Sequence, residues 1–120
     1  MIKTTLGAIV AATQAVGKLN SEPLQVSTAF KVAKLTKAIA EEYKLYDEQR
    51  IKLLERHGTI SEDGGHYDIP ADKQDAFAAA MAELQAQETE LNCEKINLAG
   101  EDIKITANDI IALAEFIEEV

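Results

Sequence analysis

From Leu24 to His57 no proline or glycine interrupts the chain, and Val32, Leu35, Ile39, Tyr43, Tyr46, Arg50, Leu53 and Leu54 follow one another in steps of three and four. That period puts them on one face of an α-helix, while Lys44, Glu48 and Lys52 pair at i,i+4 on another. Pro23 is tolerated in a helical first turn, and Gly58 is a natural stop. About 34 residues at 1.5 Å each make a helix of about 50 Å. A compact chain of this length has a radius of gyration of only about 14 Å, so the helix outruns the domain and its far end needs a partner.

The flanking segments are shorter. "MIKT" reads as an edge strand, after which Thr4 or Thr5 caps a helix carrying Leu6, Ile9, Val10, Val16 and Leu19. "TISEDGGHYDIP" has β-prone pieces around a Glu-Asp-Gly-Gly turn and predicts a small hairpin. Pro70 opens a helix over about Ala71 to Leu91, alanine-rich, with Phe77, Met81, Leu84 and Leu91 on a thin seam that Glu88 interrupts. "EKINLAGEDIKIT" alternates around a turn and predicts two short strands. "TANDIIALAEFIEEV" is an amphipathic helix capped by Thr106, with Asp109 three residues on and Ile110, Leu113, Phe116 and Ile117 on one face. The expected fold is mainly α with minor β: one domain over 1–120, a long antiparallel helical hairpin at about 24–91 with a β-hairpin at its tip, and 1–23 and 92–120 packed together at its base.

Composition changes this picture in two ways. Hydrophobic residues make up 47% and charged residues 28% of the chain, as in ordinary globular domains. Aromatic content is 5% with no tryptophan, which leaves a core of alanine and aliphatic side chains and suits close helix packing. The net charge of −9 is uneven. Leu24 to His57 sets seven cations against five carboxylates, whereas Ala71 to Val120 sets three lysines against twelve carboxylates. Oppositely biased segments can complement each other within a chain or between two copies. The acidic surplus argues against direct nucleic-acid binding, which needs a basic footprint. One cysteine, no opening signal segment and no apolar run of spanning length give a cytoplasmic, membrane-free expectation.

Candidate chemistry is thin. His57, His66, Asp68 and Cys93 lack the close ligand pairs of zinc motifs. His57 beside Gly58 reads as a cation at a helix C-terminus, His66 as a turn residue, and Cys93 as a small apolar side chain. Gly64-Gly65 has no following Gly-Lys-Ser/Thr and is not a phosphate loop. Glu41-Glu42 opens the carboxylate pattern of helical nucleotide pyrophosphohydrolases, but Leu45 occupies the third acidic position and no Glu-x-x-Asp follows, so magnesium lacks its oxygen ligands. No catalytic residue, metal or cofactor is expected.

The order "VSTAFKVAKLTKAI", then "YDEQRIKLLERHG" with an acidic glycine turn, then "ITANDIIALAEFIEE" resembles a family of small acidic proteins of tailed bacteriophages and prophages, over nearly the whole chain. The resemblance implies life in the cytoplasm of a bacterial host, with a place in the virion as a further option. The function expected is a non-enzymatic interaction or assembly module. It would bind a phage or host protein, or its own copy as a homodimer, through Val32, Leu35, Ile39, Tyr43, Tyr46, Arg50 and Leu53 of the long helix. The alternative is an acidic inhibitor of a host protein, a DNA mimic.

Overall fold

A computed structural model describes residues 1–118; Glu119 and Val120, the end of the expected terminal helix, lie outside the described residues. The chain is mainly helical with a minor antiparallel sheet content. Strand β1 (Ile2–Thr5) runs directly into helix α1 (Leu6–Asn20), because the Thr5 hydroxyl accepts the Ala8 N–H at 3.2 Å and fixes the helix start. Leu6, Ile9, Ala12, Ala15, Val16 and Leu19 form the buried face of α1, and the two alanines let its neighbours come close. Helix α2 (Val26–His57) packs on it, and its Val32, Leu35, Ile39 and Tyr46 complete the core together with Leu91, Ile96, Leu113 and Phe116.

The long helix starts two residues later than its sequence suggested. Pro23 lies before the helix, and Gln25 is the capping position without a side-chain cap. The Glu101 carboxylate, arriving from the other end of the chain, accepts the Gln25 N–H at 3.1 Å. At the opposite end Gly58 closes the helix in an extended conformation, φ −135°, and not in a left-handed one. Its role is steric. A Cβ there would sit 2.7 Å from both the Asp68 carbonyl oxygen and the Ile69 side chain.

Strands β2 (Thr59–Ile60) and β3 (Tyr67–Asp68) then pair antiparallel, with Gly64 turning at φ 71° between them. A single 3-10 turn (Ala71–Lys73) leads into α3 (Gln74–Gln85), which packs against α2 and α1. The helix expected to reach Leu91 ends six residues short of it. Glu88–Leu91 is strand β4, antiparallel to β1, with Ile2 opposite Leu91 and Lys3 opposite Glu90. The local pattern is period two: Glu88 and Glu90 face solvent, while Thr89 and Leu91 turn inward. Pairing also satisfies the β1 backbone, which a longer helix would leave open.

The two strands expected within 94–106 are absent. Ile96 makes one parallel bridge, its N–H donating to the Phe116 carbonyl at 3.0 Å and its carbonyl accepting from Glu118 at 2.9 Å, and the rest is irregular around Gly100. Leu98, Ile103 and Ile105 contribute by packing on the core edge, without ladder partners. Helix α4 (Ala107–Leu113) carries a full capping box: the Thr106 hydroxyl accepts the Asp109 N–H and the Asp109 carboxylate accepts the Thr106 N–H. Leu113 and Phe116 point into the core.

The molecule measures 52 × 29 × 24 Å. Its dry core occupies one end. Between Tyr46 and Leu91 no apolar side chain is fully buried: Leu53, Leu54 and Phe77 are half-covered, and Met81 and Leu84 are half-covered where they pack on the core.

Candidate protein-binding surface

The seven residues that periodicity singled out divide along the helix. Val32, Leu35, Ile39 and Tyr46 are buried in the chain's own core, so they offer no surface to a partner. Their period correctly marks burial, but α1 supplies the covering face. Tyr43 is half-buried, with its ring 5.7 Å from that of Tyr46, and Leu53 is half-buried further along the helix. Arg50 is held by Asp47 at 2.7 Å, a hydrogen-bonded pair that raises the guanidinium pKa further. Along the stripe, a shallow opening of about 390 Å³ lies between α1 and α2, where Ile39 and Tyr43 face Thr13 and Val16.

The open apolar surface lies elsewhere on the same helix. Val26 is 88% exposed and Phe30 63% exposed, one turn apart at the start of α2. With Met1, Asn92 and Cys93 they line a groove of about 860 Å³, rimmed by Lys31, Lys34 and Glu94. Lys34 Nζ stands 4.9 Å from the Phe30 ring centre, a cation over an aromatic face. Burial raises the pKa of the Cys93 thiol, keeping it neutral. The signal was present in the sequence: Val26, Phe30 and Lys34 form their own i,i+4 row, off the buried stripe.

A second opening lies at the C-terminal end of the chain. Leu98, Ile103, Ile105, Ile110, Ala114 and Ile117 enclose a cleft of about 580 Å³ between α4 and the irregular 98–105 segment, with Glu118 at its mouth. Next to it Ile111 is 73% exposed. Helix α4 is fixed from behind, where Lys18 Nζ lies 3.1 Å from both Asp109 carboxylate oxygens. The Thr106 N–H, first, and the Lys18 ammonium, second, hold the Asp109 carboxyl below the usual carboxylate range.

The titratable side chains at the tip serve local structure. Asp63 accepts from the Ser61 hydroxyl and from the Gly65 N–H, which lowers its pKa. His66 lies 3.3 Å from Asp68 in the same exposed turn. His57 donates from Nδ1 to the Leu53 carbonyl at 3.0 Å and meets the Phe77 ring edge-on. Among the described residues no three His, Cys, Asp or Glu side chains gather as a metal site, and no helix is long and apolar enough to cross a membrane. Comparison with protein-family models, with curated proteins and with solved structures finds no match to this chain.

Proposed function

We propose that this protein is a non-enzymatic interaction module, of the kind tailed phages use in assembly, and that it holds a protein partner on the Phe30 face of α2. One observation carries the reading: a large aromatic side chain stands 63% exposed on a rigid helix, in an apolar groove with lysines on its rim. Aromatic anchors in such settings dominate binding energy when covered, and their exposure costs the free protein solvation it recovers on binding. The helical hairpin expected from the sequence belongs to the same proposal: α2 and the shorter α3 act as an arm that carries the tip away from the binding end.

The test compares wild type with Phe30→Ser as bait in a bacterial host lysate, with chemical crosslinking and thermal melting as controls. A protein captured by wild type and lost by a variant of unchanged stability supports the proposal. Equal recovery by both baits overturns it.

A second reading has its own observation. Glu88, Glu90 and Glu115 line one shallow depression beside the β1–β4 sheet, with Lys3 the only cation among its lining residues. An acidic inhibitor would use such a surface. Reversing Glu88 and Glu90 to lysine separates the two, because it abolishes capture only if carboxylates make the contact, and that contact would weaken with salt.

A further inference from the structure

Among the openings of the described residues, two apolar ones differ in shape and in rim charge. At the start of α2, Val26 and Phe30 stand out beside Lys31 and Lys34, which outnumber the single carboxylate of that rim, Glu94. At α4, six apolar side chains form a concave cleft whose only charged lining residue among the described residues is Glu118, with Asp102 and Lys104 exposed on the adjoining segment. Asp109 is already engaged by Lys18, Glu101 by the Gln25 N–H and Glu115 by the Thr4 hydroxyl, so they take no part. A cleft of this volume accepts one aromatic side chain and a small neighbour.

We infer that the partner of the Phe30 face is a second copy of this chain, whose cleft between α4 and residues 98–105 receives Val26 and Phe30 while Lys31 and Lys34 face Glu118. This rests on the interaction-module reading and names its partner. Apolar knob meets apolar cleft, and basic rim meets acidic rim, so contact both buries surface and orients the copies. The homodimer expected from the sequence therefore has a different interface, because the α2 stripe is already covered. The contact joins unlike patches. If both copies can engage reciprocally, they close a twofold dimer; if not, they form a ring or a string of copies. Either closure contains the same Phe30-to-cleft contact.

The test uses complementary variants. Phe30→Asp removes the knob, and Ala114→Glu narrows the cleft and adds a charge at an exposed position, with Ile110→Ser as its substitute should Ala114→Glu not fold. Sedimentation velocity from micromolar to submillimolar concentration is expected to show self-association of wild type, and each variant alone is expected to weaken it about tenfold to hundredfold. Mixing the two variants is expected to restore a one-to-one pair, since the Ala114→Glu chain keeps Phe30 and the Phe30→Asp chain keeps its cleft. Circular dichroism confirms that each is folded. A wild type that stays monomeric, a variant that associates like wild type, or a mixture that stays dissociated overturns the inference. A monomeric wild type with Phe30-dependent capture of another protein would leave the broader function standing and remove only the self-pairing.

Discussion

Leu35 and Leu53 sit on one helix, in one apolar row, and truncating each to alanine removes the same atoms. Leu35 is fully enclosed by the core that α1 and α2 share. Nothing near it can relax into the space, so Leu35→Ala loses the transfer energy and leaves a cavity, at a cost of about 3 kcal/mol. Leu53 is half-exposed on the arm, where the lost area is about half and solvent fills the space, at a cost of about 1 kcal/mol. With 120 residues, an unfolding entropy of about 0.25 kcal/mol/K turns these into Tm losses of about 12 °C and about 4 °C. Thermal melts followed by circular dichroism at helix wavelengths, with urea titration to check that the m-value is unchanged, measure both. Equal losses, or a larger loss for Leu53→Ala, would refute the reasoning that the dry core ends near Tyr46.

Gly58→Ala is expected to destabilise by about 1 to 3 kcal/mol, because its Cβ would meet backbone and side-chain atoms at 2.7 Å; a melt unchanged from wild type contradicts the close approach. Thr106→Ala removes the hydroxyl that accepts the Asp109 N–H, and a loss of about 1 kcal/mol in urea denaturation is expected. Asp109 and Asp63 have carboxyl pKa values below the usual range in the folded chain. Their stabilisation is therefore complete above the unfolded value of about 3.9 and is lost as pH falls through the folded values. Asp109→Asn is expected to flatten that acid limb of the stability curve, and an acid limb as steep as that of wild type would contradict the assignment.

Local chemistry made several elements legible. Thr5 before an apolar-periodic run, and Thr106 with Asp109, announce helix starts by the hydrogen bonds their side chains can make, and both caps form. The β2–β3 turn follows from its glycine pair. Strand β4 was missed because its partner, β1, is at the far end of the sequence, and alanine-rich helix propensity up to Gln85 hides the change of period at Glu88. The 103–105 alternation misled in the opposite direction. Apolar residues every second position can pack on a core edge without any neighbouring strand to pair with, and here they do.

The proposed binding surface shows the same limit in sharper form. Periodicity says that Val32, Leu35, Ile39 and Tyr46 are covered, but it does not say by what, and the cover comes from α1 together with Leu91, Ile96, Leu113 and Phe116. The informative residues were those the stripe left out. Phe30 stands one turn inside a helix whose start is tied by Glu101 to Gln25 and whose next turn is anchored through Val32, so its backbone is fixed before any partner arrives. Docking there orders little that is not already ordered, and most of the burial is retained as affinity. The far end of α2, beyond Tyr46, has the reverse balance. Its apolar side chains are half-covered or exposed and none is fully enclosed, so the chain's own packing holds them less firmly. Of the two ends of α2, the one beside the core is therefore the better anchor for the proposed contact.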